Sequence, residues 1–427
     1  MMDRRVVITG RGVLSPLGVG TERHRDGIVA GRSVIHRNER LYTLGFPQCC
    51  GGEIPRQELE ELAPVIPQKQ KKLMNRAAIL ASMASFLAAQ EASLQTAEID
   101  PTRIGVFLAT WFTFYDLSSF MRCLVGTEVE GNGRVMNSEK ANLQCMEKMN
   151  PVDSLKLLPN LSAGHLAIFH HAQGCSRVVA DGWRGGILAV AQGAEAIRYG
   201  ELDVVLAGGS DTPLEEGIFC DLSVLEVAAK NGRETAGLCR PFDRDRCGTV
   251  FGEGAGVVVL EEREHALKRG APVLGEIAGS SSCAPRRCGH QGDALRLSIK
   301  KALEESGLEP AEVDLIHANG DGTKEHDRAE WQAIQEFFGI RASAIPVTAT
   351  KSIHGHLLSA AGVVELISSL MMLDLGVISP IANCDSPDPD CDLDLVRELP
   401  RSKAGMKTAL LNAVGLFGEA ASLVVRR

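Results

Sequence analysis

Short runs of apolar, mostly β-branched residues recur along the whole chain, separated by stretches long enough to form helices. The runs are Val6 to Thr9, Ile104 to Leu108, Val204 to Ala207, Val257 to Leu260, Leu315 to His317 and Leu423 to Val425. Strands separated by helices of ten residues or more predict an α/β protein in which helices and sheets form layers. Several runs are apolar at every position, which is typical of strands covered on both faces.

A helix, a proline-containing turn and a strand occur in the same order at two places in the chain. Residues 84–107 give this order once, with Pro101 in the turn, and residues 297–317 give it again, with Pro310 in the turn. The repetition predicts a duplicated unit with a boundary between residues 262 and 275. The alternative is a chance similarity between two helix, turn and strand units of one α/β protein.

The balance of charge limits the class of partner. The chain has a net charge of -9 and is 44% hydrophobic, so it can bury a large core and is repelled on average by nucleic acids and anionic membranes. We therefore expect neither partner, although a local basic patch can still bind an acidic protein. No uninterrupted run approaches the roughly 18 apolar residues that a membrane helix requires.

The cysteines and the first residues favour a cytoplasmic protein without a metal site. The 12 cysteines are spread along the chain without the paired spacing that holds zinc, so we interpret them as reduced structural thiols. The chain enters the strand at Val6 almost directly, without the apolar core and cleavage site of a signal peptide.

Four stretches of sequence, in this order, resemble the β-ketoacyl synthase family of the thiolase superfamily. They are residues 5–18, the glycine-rich residues 241–256, the Lys-Ser-Ile-His-Gly-His stretch within residues 351–362, and residues 378–388. The resemblance runs from about Arg4 to the end of the chain. It implies a thiolase-like α/β fold, a duplicated five-layer αβαβα arrangement with mixed central sheets. The halves would be residues 1–262, with interface insertions, and residues 263–427.

The resemblance also implies a reaction and a set of catalytic groups. Family members condense an acyl chain with a malonyl unit that arrives on the phosphopantetheine arm of an acyl carrier protein, so no further cofactor is expected. They use one cysteine and two histidines. The cysteine lies on an elbow between strand and helix, where the helix N-terminus lowers the pKa of its thiol.

Trp183 occupies the nucleophile position. The match of residues 194–209 to the helix and strand that follow the family's cysteine places the elbow at residues 180–186. An indole has no thiol and no nucleophilic lone pair, so acyl transfer cannot start there. The alternative nucleophile, Cys175, requires a slip of eight residues in a stretch without gaps, and Cys175 also fits the turn that precedes the strand.

Asn319 replaces the first catalytic histidine. The chain reads Asn-Gly-Asp-Gly-Thr-Lys-Glu-His-Asp over residues 319–327, where the family has His-Gly-Thr-Gly-Thr-x-x-Asn-Asp. An amide donates a hydrogen bond but cannot act as an acid near neutral pH. We expect the nearby His317 and His326 to be structural or exposed, because on a strand end or loop they would point elsewhere.

Other family positions are partly retained. His356 matches the second histidine, and Lys351 with Glu365 matches a buried pair that we interpret as structural, because a buried lysine without its partner is costly. Leu416 takes the aromatic position of the closing loop that gates acyl entry, and Glu419 interrupts its glycine-rich turn.

The local loss of catalytic groups resembles the chain-length factor of type II polyketide systems, a ketosynthase-like subunit that pairs with an active, cysteine-bearing ketosynthase. Such a subunit shapes the tunnel for the growing polyketide or polyene chain. Glutamine commonly takes the cysteine position in aromatic-polyketide members, and Trp183 departs from that. One alternative is a decarboxylase that primes synthesis from malonyl-carrier protein with His356 and Asn319. Another is a homodimeric ligand-binding or regulatory relic.

Aromatic residues are concentrated after the strand that begins at Ile104. Only 19 residues are aromatic, and six of them lie between positions 107 and 120. The family has its dimer interface and acyl tunnel here, so we predict four tunnel or interface residues, Phe112 foremost: Trp111, Phe112, Phe114 and Tyr115. Ordinary core packing is the alternative for each.

Overall fold

The computed structural model describes residues 4–111, 117–129, 132–229, 237–286 and 291–427. The strands are β1 Val6–Ser15, β2 Gly18–Val19, β3 His36–Arg37, β4 Cys50–Gly51, β5 Ile104–Ala109, β6 Glu128–Val129, β7 Asn132–Met136, β8 Ser176–Val179, β9 Val204–Asp211, β10 Gly254–Glu262, β11 Gly275–Cys283, β12 Leu315–His317, β13 Pro346–Thr348, β14 Val377–Ile378, β15 Asp394–Leu395, β16 Arg401–Ser402, β17 Thr408–Val414 and β18 Ala420–Arg426. The helices are α1 Thr21–Ala30, α2 Glu39–Thr43, α3 Arg56–Leu62, α4 Gln68–Lys71, α5 Arg76–Glu91, α6 Leu117–Leu124, α7 Ser138–Lys148, α8 Pro159–Phe169, α9 Gly185–Arg198, α10 Glu216–Val224, α11 Arg263–Lys268, α12 Gln291–Ser306, α13 Lys324–Phe338, α14 Lys351–His354 and α15 Ala361–Leu375.

One large sheet contains the duplicated unit. Its order is β15-β13-β12-β17-β18-β11-β1-β10-β9-β5-β8, with β2 paired to β1. In the first half the neighbours run β1, β10, β9, β5, β8, and in the second β11, β18, β17, β12, β13. When these five strands of each half are numbered in chain order, both halves place the first, fifth, fourth, second and third strands side by side. The antiparallel and parallel pairings are also the same in both halves. This repeated order confirms the predicted duplication and the mixed sheet.

Helices lie in three layers around the two sets of strands. Helices α5 and α8 contact the first set, and α12 packs on the second set with α13 beside it. Helices α9 and α15 contact each other and strands of both sets. The predicted thiolase-like α/β arrangement of five layers is thus confirmed. The two sets join where β1 pairs with β11 through Val7 with Glu276 and Ile8 with Gly275.

The central helix α15 is mostly apolar and is buried on every face over most of its length. All of its residues from Ala361 to Leu373 are buried, as expected for a helix packed on all sides. The span Leu358–Leu375 is long and apolar enough to cross a membrane, but 89% of it lies inside the protein. A count of uninterrupted apolar residues overlooks this span because serine, glutamate and aspartate interrupt it.

Candidate active site

Trp183 lies on a sharp turn between a strand and a helix. Strand β8 ends at Val179, Gly182 takes a left-handed φ of 58°, and the helix α9 begins at Gly185. Glycine adopts this φ without the steric cost that a Cβ brings. Gly186 lets the first turn of α9 approach Ser359, since a Cβ there would lie 2.4 Å from the Ser359 carbonyl oxygen. Residue 183 therefore sits just before the N-terminus of a helix.

The Trp183 indole fills the space around this turn. The side chain is 2% exposed, and its ring centroid lies 4.6 Å from that of His356 and 6.0 Å from that of Trp111. The remaining buried members of its apolar cluster are Leu41, Leu214, Ile218, Phe219, Leu222, Ala228, Phe251 and Leu358. Aromatic side chains bury large apolar areas, so this position belongs to the hydrophobic core.

The Asn319 carboxamide is bound to protein groups at both ends. Its Oδ1 accepts the backbone N–H of Val414 at 3.1 Å and the Lys351 Nζ at 3.3 Å. Its Nδ2 donates to Asp321 Oδ2 at 3.3 Å. With 2% of the residue exposed, the amide links neighbouring elements and supplies no titratable acid.

Lys351 and Glu365 form a buried ion pair behind Asn319. The Nζ lies 2.6 Å from Glu365 Oε1, each side chain is 1% exposed, and the same Nζ donates to the Asn319 carbonyl oxygen at 2.7 Å. Burial raises the pKa of Glu365, and the charge of Lys351 opposes that rise. The pair holds Asn319 in place, since either charge alone would be costly to bury.

His356 is a neutral imidazole that accepts a backbone N–H. Its Nδ1 accepts the Leu358 backbone N–H at 3.0 Å, so the ring proton is on Nε2. Burial lowers the pKa of His356 well below its ordinary value, and the charge of Lys351 lowers it further. Within the described ranges, the buried Nε2 has no hydrogen-bond partner.

His326 also lies in this site, and the expectation that its side chain points elsewhere was wrong. It belongs to the first turn of α13, where Thr323 Oγ1 accepts its backbone N–H at 3.2 Å. Its Nδ1 is 2.6 Å from Asp321 Oδ2, and its ring centroid is 6.0 Å from that of Trp183. Burial lowers the pKa of His326, but the Asp321 carboxylate and its acidic neighbours outweigh burial and raise the pKa to about 9. His326 is therefore an imidazolium at neutral pH.

His317 has a structural role. It is fully buried, its Nδ1 is 2.8 Å from Ser369 Oγ, and its Nε2 is 3.0 Å from Thr350 Oγ1. Burial lowers the pKa of His317 well below its ordinary value. Both ring nitrogens are thus occupied by hydroxyl groups of the protein interior.

Cys175 and Cys239 are the two candidates for a thiol that could take the place of the one that residue 183 lacks. Cys175 precedes β8, at the end of that strand farther from the elbow, and its carbonyl oxygen accepts the Val106 N–H at 2.9 Å. A four-residue strand spans roughly 13 Å. Cys239 is fully buried, its Sγ donates to the Lys351 carbonyl oxygen at 3.2 Å, and burial raises the pKa of its thiol to about 12. Neither thiol takes the place of Trp183.

Of the predicted tunnel residues, the structure describes Trp111. Its ring packs edge to face on Trp183, and its backbone N–H donates to Asp211 Oδ1 at 2.9 Å. Trp111 is half-buried. The other three, Phe112, Phe114 and Tyr115, lie outside the described residues.

The closing loop after β17 packs on the same cluster. Leu416 is partly buried against the cluster around Trp183. Glu419 Oε2 accepts the Phe417 N–H at 3.2 Å, and the Glu419 carbonyl oxygen accepts the Gly415 N–H at 2.7 Å. The glutamate therefore holds the turn through its side chain and its backbone carbonyl, while Phe417 is 69% exposed.

No group of three or more histidine, cysteine, aspartate or glutamate side chains that could hold a metal ion is found in the part of the chain that the structure describes. The chemical groups of the site are then an indole, one neutral imidazole and one imidazolium, with Asn319 and the Lys351 pair behind them. This set can donate hydrogen bonds but offers no thiolate.

Family models match most of the chain. The N-terminal domain model of β-ketoacyl synthases matches residues 3–266, and the C-terminal domain model matches residues 275–385.

Individual relatives match over all or nearly all of their length. Nodulation protein E of Rhizobium sp. (strain N33) is 34% identical over 437 residues, covering 100% of both chains. The tetracenomycin polyketide synthase ketoacyl synthase alpha subunit of Streptomyces glaucescens is 32% identical over 431 residues, covering 100% of this chain and 97% of that protein. Among solved structures, a chain of the ishigamide ketosynthase/chain length factor superposes with a TM-score of 0.85 at 29% identity, covering 99% of both chains.

Proposed function

Since the chain belongs to the β-ketoacyl synthase family, we propose that it is a chain-length factor, a catalytically silent ketosynthase homologue of the type II polyketide systems. It pairs with a cysteine-bearing ketosynthase and shapes the acyl tunnel, and so sets the length of the polyketide or polyene. The observation that carries this proposal is the buried indole of Trp183 at the helix N-terminus where a synthase presents its thiol.

Acyl transfer requires a nucleophile that an indole does not supply. A helix N-terminus favours the thiolate of a cysteine, but the nitrogen lone pair of Trp183 belongs to the aromatic system. The two sequence relatives named above carry the names of a ketoacyl synthase subunit and of a nodulation protein, so the proposed silence of this chain rests on its own residues. Trp183 and Asn319 both stand where the family has reacting groups.

The surface of the chain supports a protein partner. Strand β8 ends the order of the large sheet and pairs with β5 on one side, and such an edge is a template for pairing with another chain. The part of the chain that precedes β8 exposes large apolar side chains: Met121, Val125, Val135, Met136, Leu143, Met146, Leu155, Leu158 and Ile168. Apolar surface of this kind marks an interaction site, and we assign it to the ketosynthase partner.

A basic segment supports docking of an acyl carrier protein, which is acidic. Residues 62–90 contain no aspartate or glutamate, although the whole chain has a net charge of -9. Lys69 and Lys72 lie exposed at the short helix α4, with Lys71 half-buried between them. Local positive charge steers an acidic partner despite the negative total.

For the tunnel wall we propose Trp111, Phe112, Phe114 and Tyr115, with Phe112 foremost. The contact between Trp111 and Trp183 supports this, because it places the start of the aromatic segment beside the inactive elbow. Bulk in this segment would limit how far the partner's product can grow.

Co-expression with the ketosynthase of the same source tests the pairing. We expect a one-to-one complex to co-purify through a tag on either chain. Recovery of this chain as a homodimer in the presence of that ketosynthase would favour the homodimeric ligand-binding or regulatory relic. Replacing the exposed Met146 with aspartate should weaken the complex, while the same change at the exposed Ile340, outside that segment, is the matched control.

The second candidate is decarboxylation of malonyl-carrier protein by His356 and Asn319. The Nε2–H of His356, which has no partner among the described residues, supports it. The side-chain oxygen of Asn319, however, already accepts hydrogen bonds from two protein donors. Formation of acetyl-carrier protein that is lost on His356→Ala would favour this candidate over a silent subunit.

A further inference from the structure

Two buried ring N–H groups lie beside the elbow. In the part of the chain that the structure describes, Trp183 Nε1 and His356 Nε2 are buried and have no hydrogen-bond partner. Their rings are in contact, with centroids 4.6 Å apart. Buried donors are nearly always satisfied in folded proteins, so each such group calls for an explanation. Two of them on adjacent rings suggest one shared acceptor.

A third donor carries a positive charge. His326 Nδ1 bonds to Asp321, which leaves Nε2–H as the second donor of the imidazolium. Its ring meets the indole of Trp183 nearly at a right angle, with planes at 81°. The rings of His356 and His326 therefore both lie beside the indole of Trp183.

The neighbouring polar groups cannot serve as the missing acceptor. Asp321 is occupied by His326, Asn319 and the backbone N–H of Thr323. Glu365 is paired with Lys351. The acceptor must therefore come from outside these groups, and a carboxylate fits because it only accepts and has two oxygen atoms.

We propose that Trp183, His356 and His326 form a binding site for a carboxylate. One carboxylate oxygen accepts from the paired indole and imidazole N–H groups, and the imidazolium stabilises the negative charge. The ligand is a short carboxylic acid, either free or as the terminal carboxylate of a malonyl thioester. Binding is not covalent, and it does not depend on whether the chain pairs with a ketosynthase.

The three tryptophans of the chain, Trp111, Trp183 and Trp331, provide a direct test. Nuclear magnetic resonance of the full chain with ¹⁵N-labelled indoles gives one N–H signal for each, and Trp183→Phe assigns the signal of Trp183. Acetate, malonate and malonyl-pantetheine are the probes. We expect a saturable downfield shift of the Trp183 signal, because its N–H gains an acceptor, and no shift of Trp331.

Variants connect the shift to the proposed donors. His326→Asn removes the cation and should weaken binding by about tenfold or more, the factor expected for a charge-assisted hydrogen bond. His356→Leu should abolish the shift. The matched control is His171→Asn at an exposed left-handed position, with φ 52°, which should bind as the unmodified chain does. An unchanged Trp331 signal shows that a variant is folded. If His356→Leu does not fold, His326→Asn alone provides the test.

The probes also separate the two sources of the carboxylate. A shift by malonyl-pantetheine alone identifies a thioester, and equal shifts by acetate and malonate identify a free acid. A Trp183 signal that no probe moves means that water occupies the site, and the proposal is then wrong. A shift that is the same in His326→Asn and His356→Leu overturns it as well.

Discussion

The imidazole of His356 lies against the indole of Trp183, with ring centroids 4.6 Å apart and ring planes at 59°. A ketosynthase needs a sulfur atom at the elbow, and here an aromatic ring occupies that position and packs with its neighbours into the core. The elbow at residues 180–186 carries no thiol, while the buried ion pair of Lys351 and Glu365 and the helices around it are complete. The fold is therefore intact around a side chain that has no thiol.

Trp183→Cys should not restore condensing activity. The new thiol would stand at the helix N-terminus, but Asn319 still offers no imidazole and Leu416 still occupies the closing loop. The measurement is turnover of acyl and malonyl groups loaded on carrier protein. Trp183→Ser, which leaves the same space without a thiol, is the matched control. Turnover by the cysteine variant alone would show that the first histidine is dispensable.

Replacing one partner of the Lys351 and Glu365 pair should destabilise the protein more than replacing both. Lys351→Met leaves Glu365 buried without its partner and should lower the free energy of unfolding by about 3–5 kcal/mol. The double variant Lys351→Met with Glu365→Leu should recover most of that loss, because no charge is left in the interior. Urea unfolding of the single and double variants measures both values. A double variant as unstable as the single one would contradict a structural role.

The stability of the protein should depend on pH through His24. Its ring nitrogens lie 2.8 Å from the hydroxyls of Ser15 and Ser368, and burial, with a smaller contribution from His354, lowers the pKa of His24 to about 3. In the unfolded chain His24 binds a proton below about pH 6.5, whereas in the folded chain its ring stays neutral to a much lower pH. The contribution of the buried neutral ring to the free energy of unfolding is therefore fully present above about pH 6.5 and is lost as the pH falls.

His24→Gln removes this titration and isolates its effect. The difference in free energy of unfolding between the unmodified chain and the variant should shrink by about 2 kcal/mol from pH 7 to pH 5. Above pH 7 the difference should stay constant, which serves as the internal control. A constant difference across the whole range would mean that His24 is not held neutral.

The pattern of strands predicted the α/β class because β-branched runs and helical spacings are local properties of the chain, while the five-layer thiolase-like arrangement was implied by the resemblance to the family. The two halves share one strand order, as the repeat around Pro101 and Pro310 predicted. The match of residues 194–209 also predicted the turn between strand and helix at residues 180–186, and the structure has β8 end at Val179 and α9 begin at Gly185. The pairing that joins β1 to β11 is a contact between distant segments, which no local pattern encodes.

The role of His326 was missed because it depends on where a helix begins. Thr323 accepts the backbone N–H of His326 and caps α13, which turns the histidine toward Asp321 and Trp183 instead of away from them. A threonine followed by apolar residues at helical spacing, Trp331, Ile334 and Phe338, was the available signal. The hydrogen bonds that occupy Asn319 come from Val414 and Lys351, far away in sequence, and could not be predicted.

Phe112→Ala should lengthen the product of the partner ketosynthase. A smaller side chain in the tunnel wall leaves room for more extension steps, if the aromatic segment that begins at Trp111 lines the tunnel. The measurement is the chain-length distribution made by the reconstituted pair. Phe337→Ala, at a partly buried phenylalanine of α13, is the control. Unchanged lengths would remove Phe112 from the wall.

The intact mass of this subunit tests the central claim most directly. The purified pair is incubated with acyl-loaded and malonyl-loaded carrier protein, and both chains are weighed by mass spectrometry. We predict an acyl adduct on the cysteine-bearing partner and an unchanged mass for this chain. An acyl thioester on this chain itself, released by hydroxylamine, would contradict the account.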